Sequence, residues 1–222
     1  MQLWFKVMDH VEQAEGETIR PQAMCSLIGK HAAENAIFCC DTGSVTSFFA
    51  KSLRVRAGQD VTLSGNLATM AYSVAAAIGV QLSHRHRQVI TLTGDGSANM
   101  LMGELATLKK YDLPVKVFIL NNGRLHLIDF EENVEGIPAF GTELQNPNFA
   151  AVAQAYGIKG LEVAKPDDLE QTISQALAYD GPVVVDVKVN PRQMLYPPKV
   201  TLGQAWGFSV AKIKEFWQSA IA

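Results

Sequence analysis

The chain has 222 residues, of which 48% are hydrophobic and 18% are charged, and its formal net charge at neutral pH is −3. This composition is typical of a folded globular protein with one core plus extensions, and it excludes a disordered or collagen-like chain. Because the lysines and arginines are scattered and build no concentrated positive field, we predict no nucleic-acid partner.

The cysteines and the hydropathy pattern both bear on the compartment. Cys25, Cys39 and Cys40 lack metal-ligand spacing, and two of them lie in an apolar run, which is typical of buried thiols in a reducing environment. The first residues lack the apolar run of a signal peptide, and no stretch reaches the ~18 apolar residues of a membrane span. We therefore predict a cytoplasmic protein.

The chain divides into three predicted segments. Residues 1–20 are mixed and acidic and are interpreted as a linker or arm, and Pro21 then suits the first turn of a helix that reaches about Asn35. Residues 21–190 form the predicted domain. Residues 191–222 are a predicted carboxyl-terminal extension, in which three prolines precede an amphipathic segment over 203–221.

Within the predicted domain, short apolar runs rich in β-branched residues alternate with longer segments of helical period. The predicted strands cover residues 37–40, 61–63, 89–93, 115–120 and 182–189. The later predicted helices lie near residues 44–53, 67–82, 98–111, 147–156 and 167–179. This alternation, with strands that are apolar at nearly every position, predicts a doubly wound α/β fold: a mainly parallel sheet with helices on both faces.

Three turns that follow predicted strands carry the candidate chemistry, because open parallel sheets bind ligands beyond the carboxyl ends of their strands. Residues 94–97, Gly-Asp-Gly-Ser, combine glycines that allow close backbone approach with amides that can face an anion. Residues 121–123 are Asn-Asn-Gly, and residues 41–44 are Asp-Thr-Gly-Ser. A phosphate group fits this set of turns.

Asp95 and Asn122 are 27 residues apart. One turn, one helix and one strand fill that interval, which is a complete right-handed crossover, so both side chains are expected at the same sheet edge. A carboxylate and an amide make an oxygen-only site of the kind that Mg²⁺ uses together with phosphate oxygens. A nicotinamide site is the weaker alternative, since the third glycine and the downstream acid of that fingerprint are missing. Ordinary turn residues are the other alternative.

The sequence GDGSAN, followed after 27 residues by NN, resembles the cofactor-binding motif of thiamine-diphosphate enzymes. From about residue 18 to 218 the chain, including GTELQNPNFAAVAQAYGI and PPKVTLGQAWGFS, resembles the carboxyl-terminal third of pyruvate oxidases and quinone-linked pyruvate dehydrogenases. The resemblance implies that Mg²⁺ is bound by the side chains of Asp95 and Asn122 and by the carbonyl of Arg124.

The resemblance also implies which residues hold thiamine diphosphate. Met70 would wedge the two rings of the cofactor into a bent conformation, a role that suits a soft, adaptable side chain. The implied cofactor-binding residues are Gly43, Ser44, Ala68, Met70, Gly94, Asp95, Gly96, Ser97 and Asn122.

Glu131 is the candidate catalytic residue, because it resembles a glutamate that lines the pyruvate pocket in this family. A solvated helix charge is the alternative for Glu131. The family usually has glycine where Ala68 stands, often proline at Val74, and commonly glycine at His126, so these three positions bear on the shape of the pocket. His126 is interpreted as pocket-lining, with an acid or base role as the alternative.

The activity that the resemblance implies is decarboxylation of pyruvate or another 2-oxoacid, with electrons passed to a flavin. The alternatives are a non-oxidative relative such as acetolactate synthase, or a stand-alone cofactor-binding subunit. FAD is expected mostly outside this chain.

The resemblance further implies partners. A pyrimidine-binding domain, in the same gene product or in a partner subunit, supplies the glutamate that activates the cofactor, so we expect this chain alone to be catalytically incomplete. A homodimer or homotetramer is implied. A peripheral contact of the tail with the inner face of the membrane, as in quinone-linked relatives, is a weaker alternative.

Overall fold

The structure, a computed structural model, describes residues 16–193, 195 and 201–221, with the backbone alone for 218–221. Most of the predicted arm over 1–20 and part of the predicted extension over 191–222 lie outside the described residues. Of the arm, Ile19 is buried and forms a parallel bridge with Val189.

Parallel strands form the centre of the molecule. They are β1 (Ile37–Cys40), β2 (Asp60–Leu63), β3 (Val89–Gly94), β4 (Lys116–Asn121), β5 (Lys159–Val163) and β6 (Val183–Lys188). Within the described residues they make one six-stranded sheet in the order β2-β1-β3-β4-β6-β5, and every pairing is parallel. The predicted parallel α/β fold is confirmed.

Helices follow the strands in alternation. They are α1 (Pro21–His31), α2 (Ser44–Ser52), α3 (Tyr72–Ser83), α4 (Asp95–Met100), α5 (Leu105–Lys110), α6 (His126–Val134), α7 (Phe149–Ala155), α8 (Pro166–Ala178) and α9 (Leu202–Ile221). A short 3-10 turn (Met102–Glu104) separates α4 from α5.

Several predicted elements differ from the observed ones. The first helix ends at His31 instead of near Asn35, and the helix predicted over 98–111 is broken at Leu101, whose φ and ψ of −130° and 32° are not helical. Strand β5 was not predicted, because its residues are largely exposed at the sheet edge and it contains a glycine, which removes the apolar run. Helix α6 was not predicted either, and its first turn lacks a side-chain cap.

The sheet is covered on both faces. Phe118 and Leu120 of β4 pack into one core with α1, α2 and α8. Val117 and Ile119 of the same strand pack into a second core with α3, α5 and α7. Burial on both sides is why this strand is apolar at almost every position.

The register of the sheet brings the candidate turns to one edge. Gly94 pairs with Leu120 across β3 and β4, so Asp95 and Asn122 leave the sheet at neighbouring strand ends. The chain continues outward from β1 to β2 but returns to place β3 on the other side of β1, so the strand order reverses between β1 and β3. Ligands of open parallel sheets bind at such a reversal.

In the described part of the chain, no helix combines the length and the apolar character needed to cross a membrane.

Candidate functional site

A cleft of about 230 Å³ lies at the carboxyl ends of β1, β3 and β4. It is lined by every residue that the sequence predicted for the cofactor and the metal: Gly43, Ser44, Ala68, Met70, Gly94, Asp95, Gly96, Ser97, Asn122 and Arg124. The structure therefore brings together residues that are up to 81 positions apart in the sequence. Apolar side chains, including Leu125 and Ile128, complete the wall.

The carboxylate of Asp95 is buried at the base of the cleft and held by three donors. Its Oδ2 accepts hydrogen bonds from the amide of Gly123 and from Nδ2 of Asn146, both at 2.7 Å, and its Oδ1 accepts one from the amide of Gly96 at 2.9 Å. Burial raises the pKa of Asp95, while the hydrogen bonds from Gly123, Asn146 and Gly96 oppose that rise. The donors thus favour the ionised carboxylate and fix its orientation.

Asn122 is half-buried and is oriented by its own turn. Its Oδ1 accepts a hydrogen bond from the amide of Arg124 at 3.1 Å. Gly123, between them, has φ of +72°, a left-handed conformation that glycine adopts readily. The turn therefore holds the Asn122 side chain in the same cleft as the carboxylate of Asp95.

Asn146 belongs to the site but was not predicted. Its Nδ2 donates to Asp95 and also to Oδ1 of Asn121 at 2.9 Å, and its Oδ1 accepts from Nδ2 of Asn99 at 2.7 Å. Asn121 in turn donates to Oδ1 of the fully buried Asp186 at 2.9 Å. The only sequence signal for Asn146 is a polar residue before Pro147 in a loop that leads into a helix, which is too common to single it out.

Asp41 fixes the third predicted turn. Its buried Oδ2 accepts hydrogen bonds from the hydroxyls of Ser73 at 2.8 Å and Thr93 at 2.9 Å, and its Oδ1 accepts from the amide of Thr42. Because these contacts join β1, β3 and α3, the carboxylate stabilises the turn instead of facing a ligand. Gly43, with φ of +130° and open space at its Cβ position, leaves a backbone cradle in the cleft wall.

The cleft fits a magnesium-bound diphosphate by its free groups and its shape. The hydroxyl of Ser97 is buried and has no hydrogen-bond partner among the described residues, so an anion oxygen would satisfy it. A Cβ at Gly96 would lie 2.8 Å from the side chain of Leu125, so a larger residue here would have to displace that leucine from the cleft wall. One carboxylate, one amide oxygen and a carbonyl suit Mg²⁺. No cluster of three His, Cys, Asp or Glu that could hold a metal occurs within the described residues.

Ala68 and Met70 also line the cleft. Ala68 has φ of +48°, a left-handed conformation that costs a residue with a Cβ about 1–2 kcal/mol, which explains physically why glycine suits this position. The methyl end of Met70 lies 3.5 Å from the Cβ position of Gly96, so it narrows the cleft beside the predicted diphosphate cradle.

Glu131 and His126 are placed differently from each other. Glu131 is exposed on α6 and is not among the described residues that line the cleft. His126, which is 7% exposed, does line the cleft, and its ring stacks on Phe48 with centroids 6.3 Å apart. Burial lowers the pKa of His126, Arg124 acts in the same direction, and Asp129 opposes them, so the imidazole is neutral near pH 7.

The family described as "Thiamine pyrophosphate enzyme, C-terminal TPP binding domain" matches residues 41–187. The chain belongs to this family. The matched segment begins at the turn that Asp41 stabilises and ends in β6, so it includes the whole cleft. Membership confirms the predicted thiamine-diphosphate enzyme family.

Named relatives show which members of the thiamine pyrophosphate enzymes this domain is similar to. YdaP of Bacillus subtilis (strain 168), whose name describes it as thiamine pyrophosphate-containing, is 38% identical over 219 residues, which is 99% of this chain and 38% of that protein. The acetolactate synthase large subunit of Porphyra purpurea is 33% identical over 168 residues, 74% of this chain and 28% of that protein. The large subunit of Lactococcus lactis is 30% identical over 190 residues, 83% of this chain and 32% of that protein. The chain thus spans about a third of the length of these relatives.

Proposed function

We propose that this thiamine pyrophosphate-binding domain holds the diphosphate of thiamine diphosphate and a Mg²⁺ ion in an enzyme that decarboxylates a 2-oxoacid. The observation that carries the proposal is the convergence, in one cleft, of the buried Asp95 carboxylate, the Asn122 side chain and the unpartnered hydroxyl of Ser97.

The residues of the cleft divide into two roles. Asp95, Asn122 and the carbonyl of Arg124 would hold Mg²⁺, while Ser97 and Ser44, with the nearby glycines, would hold the diphosphate. Because three donors already orient Asp95, little rearrangement would be needed when the metal binds. Thiamine diphosphate itself supplies the electron sink for the carbanion that forms when CO₂ leaves.

Replacement of Asp95 tests the proposal directly. In Asp95→Ala the only carboxylate of the predicted ligand set is lost, so Mg²⁺-dependent binding of thiamine diphosphate to the full chain should weaken by more than about 100-fold. Isothermal titration calorimetry with and without Mg²⁺ measures the affinity, and circular dichroism checks that the fold persists.

The matched control is Asp167→Ala, which removes an exposed carboxylate from the first turn of α8, away from the cleft. This variant should bind the cofactor as the wild type does. An unchanged affinity in Asp95→Ala, or equal losses in both variants, would contradict the assignment of the metal site.

The proposed site is compatible with two overall reactions of a 2-oxoacid. A non-oxidative, acetolactate-forming reaction is favoured by the relatives that are named acetolactate synthases. Oxidative decarboxylation with FAD is favoured by the resemblance of the segment PPKVTLGQAWGFS to pyruvate oxidases. The first four residues of that segment, 197–200, lie outside the described residues. Product analysis by NMR with ¹³C-labelled pyruvate, on the complete enzyme, distinguishes them: acetolactate supports the first reaction, and CO₂ with a reduced acceptor supports the second.

A further inference from the structure

The amide of Asn146 lies between two buried carboxylates, which fix its orientation. Asp186 accepts a hydrogen bond from Nδ2 of Asn121 at 2.9 Å, so Oδ1 of Asn121 faces Asn146 and accepts from its Nδ2 at 2.9 Å. The same Nδ2 donates to Oδ2 of Asp95 at 2.7 Å. Because an ionised carboxylate can only accept hydrogen bonds, this network requires Asn146 to act as a donor toward Asp95.

The loop that carries Asn146 is anchored beside it. Asn148 caps the amino end of α7, and the next residue, Phe149, is 1% exposed in the core. The backbone amide of Phe149 donates to Oδ2 of Asp186 at 3.1 Å. The hydrogen bond to Asp95 is therefore made by a side chain whose backbone has little freedom to move.

The two oxygens of the Asp95 carboxylate are not equivalent. Oδ2 accepts two hydrogen bonds at 2.7 Å, from Asn146 and from the amide of Gly123, whereas Oδ1 accepts one at 2.9 Å from the amide of Gly96. Of these three donors, Gly96 lines the cleft and the other two do not. Since each carboxylate oxygen has two lone pairs, Oδ2 is filled and Oδ1 keeps capacity for a ligand in the cleft.

The number of free oxygens matters because divalent cations differ in the coordination that they require. Mg²⁺ demands a nearly ideal octahedron of oxygens, whereas the larger Ca²⁺ takes six to eight and accepts carboxylates through one oxygen or both. A carboxylate with a single free oxygen therefore matches Mg²⁺, and one with both oxygens free gives Ca²⁺ an additional ligand.

We propose that Asn146 favours Mg²⁺ over Ca²⁺ in this site, because its hydrogen bond to Oδ2 restricts Asp95 to coordination through Oδ1. The inference rests on the proposed function, which places a divalent cation beside Asp95. Asn146 is a positioning residue that acts through the carboxylate and does not itself touch the metal. Without it, Oδ2 keeps the amide of Gly123 as a donor and gains a lone pair for the cation.

The test is the ratio of two metal affinities in Asn146→Ala. The full chain is titrated with thiamine diphosphate at a series of Mg²⁺ or Ca²⁺ concentrations, and calorimetry gives the metal concentration that supports half-maximal cofactor binding. Loss of a partner that orients a metal ligand should weaken the Mg²⁺ affinity about tenfold. The Ca²⁺ affinity should fall less than about threefold, because Oδ2 becomes an additional ligand. The Ca²⁺ affinity relative to that of Mg²⁺ should thus rise at least about threefold.

Asn99→Ala is the matched control. It removes the hydrogen bond that Asn99 donates to Oδ1 of Asn146 at 2.7 Å but leaves the donors to Asp95 in place. The ratio of the two affinities should stay that of the wild type. Asn146→Ser, whose hydroxyl is too short to replace the amide, is a second variant and should shift the ratio in the same direction as Asn146→Ala. Circular dichroism checks that each variant is folded.

The outcomes are distinct. Equal losses for both metals in Asn146→Ala would show that the residue only supports the structure of the site, and an equal shift of the ratio in Asn99→Ala would assign the selectivity to the packing of the loop; either result overturns the inference. Wild-type cofactor binding that needs no metal would refute the proposed function together with the inference. Normal metal-dependent binding by the wild type, with an unchanged ratio in Asn146→Ala, refutes the inference alone.

Discussion

At the scale of single residues, Lys116 at the start of β4 shows what burial of a charge costs this protein. It is 4% exposed, and its ammonium donates hydrogen bonds to the carbonyls of Tyr179 and Gly181. Burial lowers the pKa of Lys116 to about 8, while the charge of Asp180 opposes that shift. Carbonyl partners satisfy the donors but do not neutralise the charge, so the lysine destabilises the fold whenever it is protonated.

The pH dependence of stability tests this cost. An unfolded lysine keeps its proton up to about pH 10.5, whereas folded Lys116 loses it above about pH 8, so the unfolded state binds more protons in that interval and stability rises with pH. The free energy of unfolding of the wild type minus that of Lys116→Met should increase by about 2 kcal/mol between pH 7 and 9.5. Urea unfolding at both pH values measures the difference.

Subtracting the unfolding free energy of Lys116→Met from that of the wild type also cancels the opposing pH effect of two buried cysteines. Burial raises the pKa of Cys39 and Cys40 to about 12, so their stabilising contribution declines as pH rises above about 9, but both proteins share it. As a control, the free energy of unfolding of the wild type minus that of Lys165→Met, at an exposed lysine, should not change between pH 7 and 9.5. A flat difference for Lys116→Met as well would show that its ammonium remains charged in the folded protein.

At the scale of elements, α9 packs on α6 through a close approach of their backbones. A Cβ at Gly207 would lie 2.0 Å from the carbonyl oxygen of Val134, so the contact requires glycine. Ala211, one turn further along, is fully buried, and Nζ of Lys214 donates to the carbonyl of Gly136 at 2.9 Å. A cavity of about 600 Å³ is lined by residues of both helices, among them Phe130 of α6 and Phe208 of α9.

Gly207→Ala should therefore detach α9 from α6. Hydrogen exchange of residues 202–221 should accelerate by at least about tenfold, while the free energy of unfolding of the sheet core changes by less than about 1 kcal/mol. Gly203→Ala is the matched control in the same helix, because the nearest atom to its Cβ position is 4.0 Å away. Equal exchange in the two variants would argue against backbone contact as the basis of this docking.

At the scale of the whole molecule, the cofactor cleft is formed within one domain, but the chain spans only about a third of its relatives. We propose that a pyrimidine-binding domain, from the same gene product or from a partner subunit in a homodimer or homotetramer, completes the site. Exposed apolar side chains beside the cleft, such as Leu67 at 81% and Ile128 at 48%, are consistent with such a covering.

Once calorimetry has shown that the full chain alone binds thiamine diphosphate, that chain should convert no pyruvate above the rate of the free cofactor, because the group that activates the cofactor by proton transfer is expected elsewhere. Release of CO₂ is followed by a coupled assay. Substantial turnover by the chain alone would show that its own residues, with Glu131 and His126 the first candidates, suffice for activation.

The fold class and the centre of the site were both predictable from local patterns along the chain. Asp95 and Asn122 could be placed together because parallel strands joined by a right-handed crossover end at the same sheet edge, and this rule needs only local patterns and spacing. The same rule places the turns at residues 43–44 and 94–97 at this edge of the sheet. The family membership agrees with the predicted fold class.

The other features of the site depend on contacts between segments that are far apart in the sequence. Asn146 reaches Asp95 because the loop before α7 folds back over β4, and β5 forms because an exposed edge position tolerates a polar, glycine-containing segment. The exposure of Glu131 and the position of His126 in the cleft wall depend on how α6 rotates and docks against α2 and α9. Contacts between elements that are distant in sequence leave no periodic pattern, so spacing and composition cannot predict them.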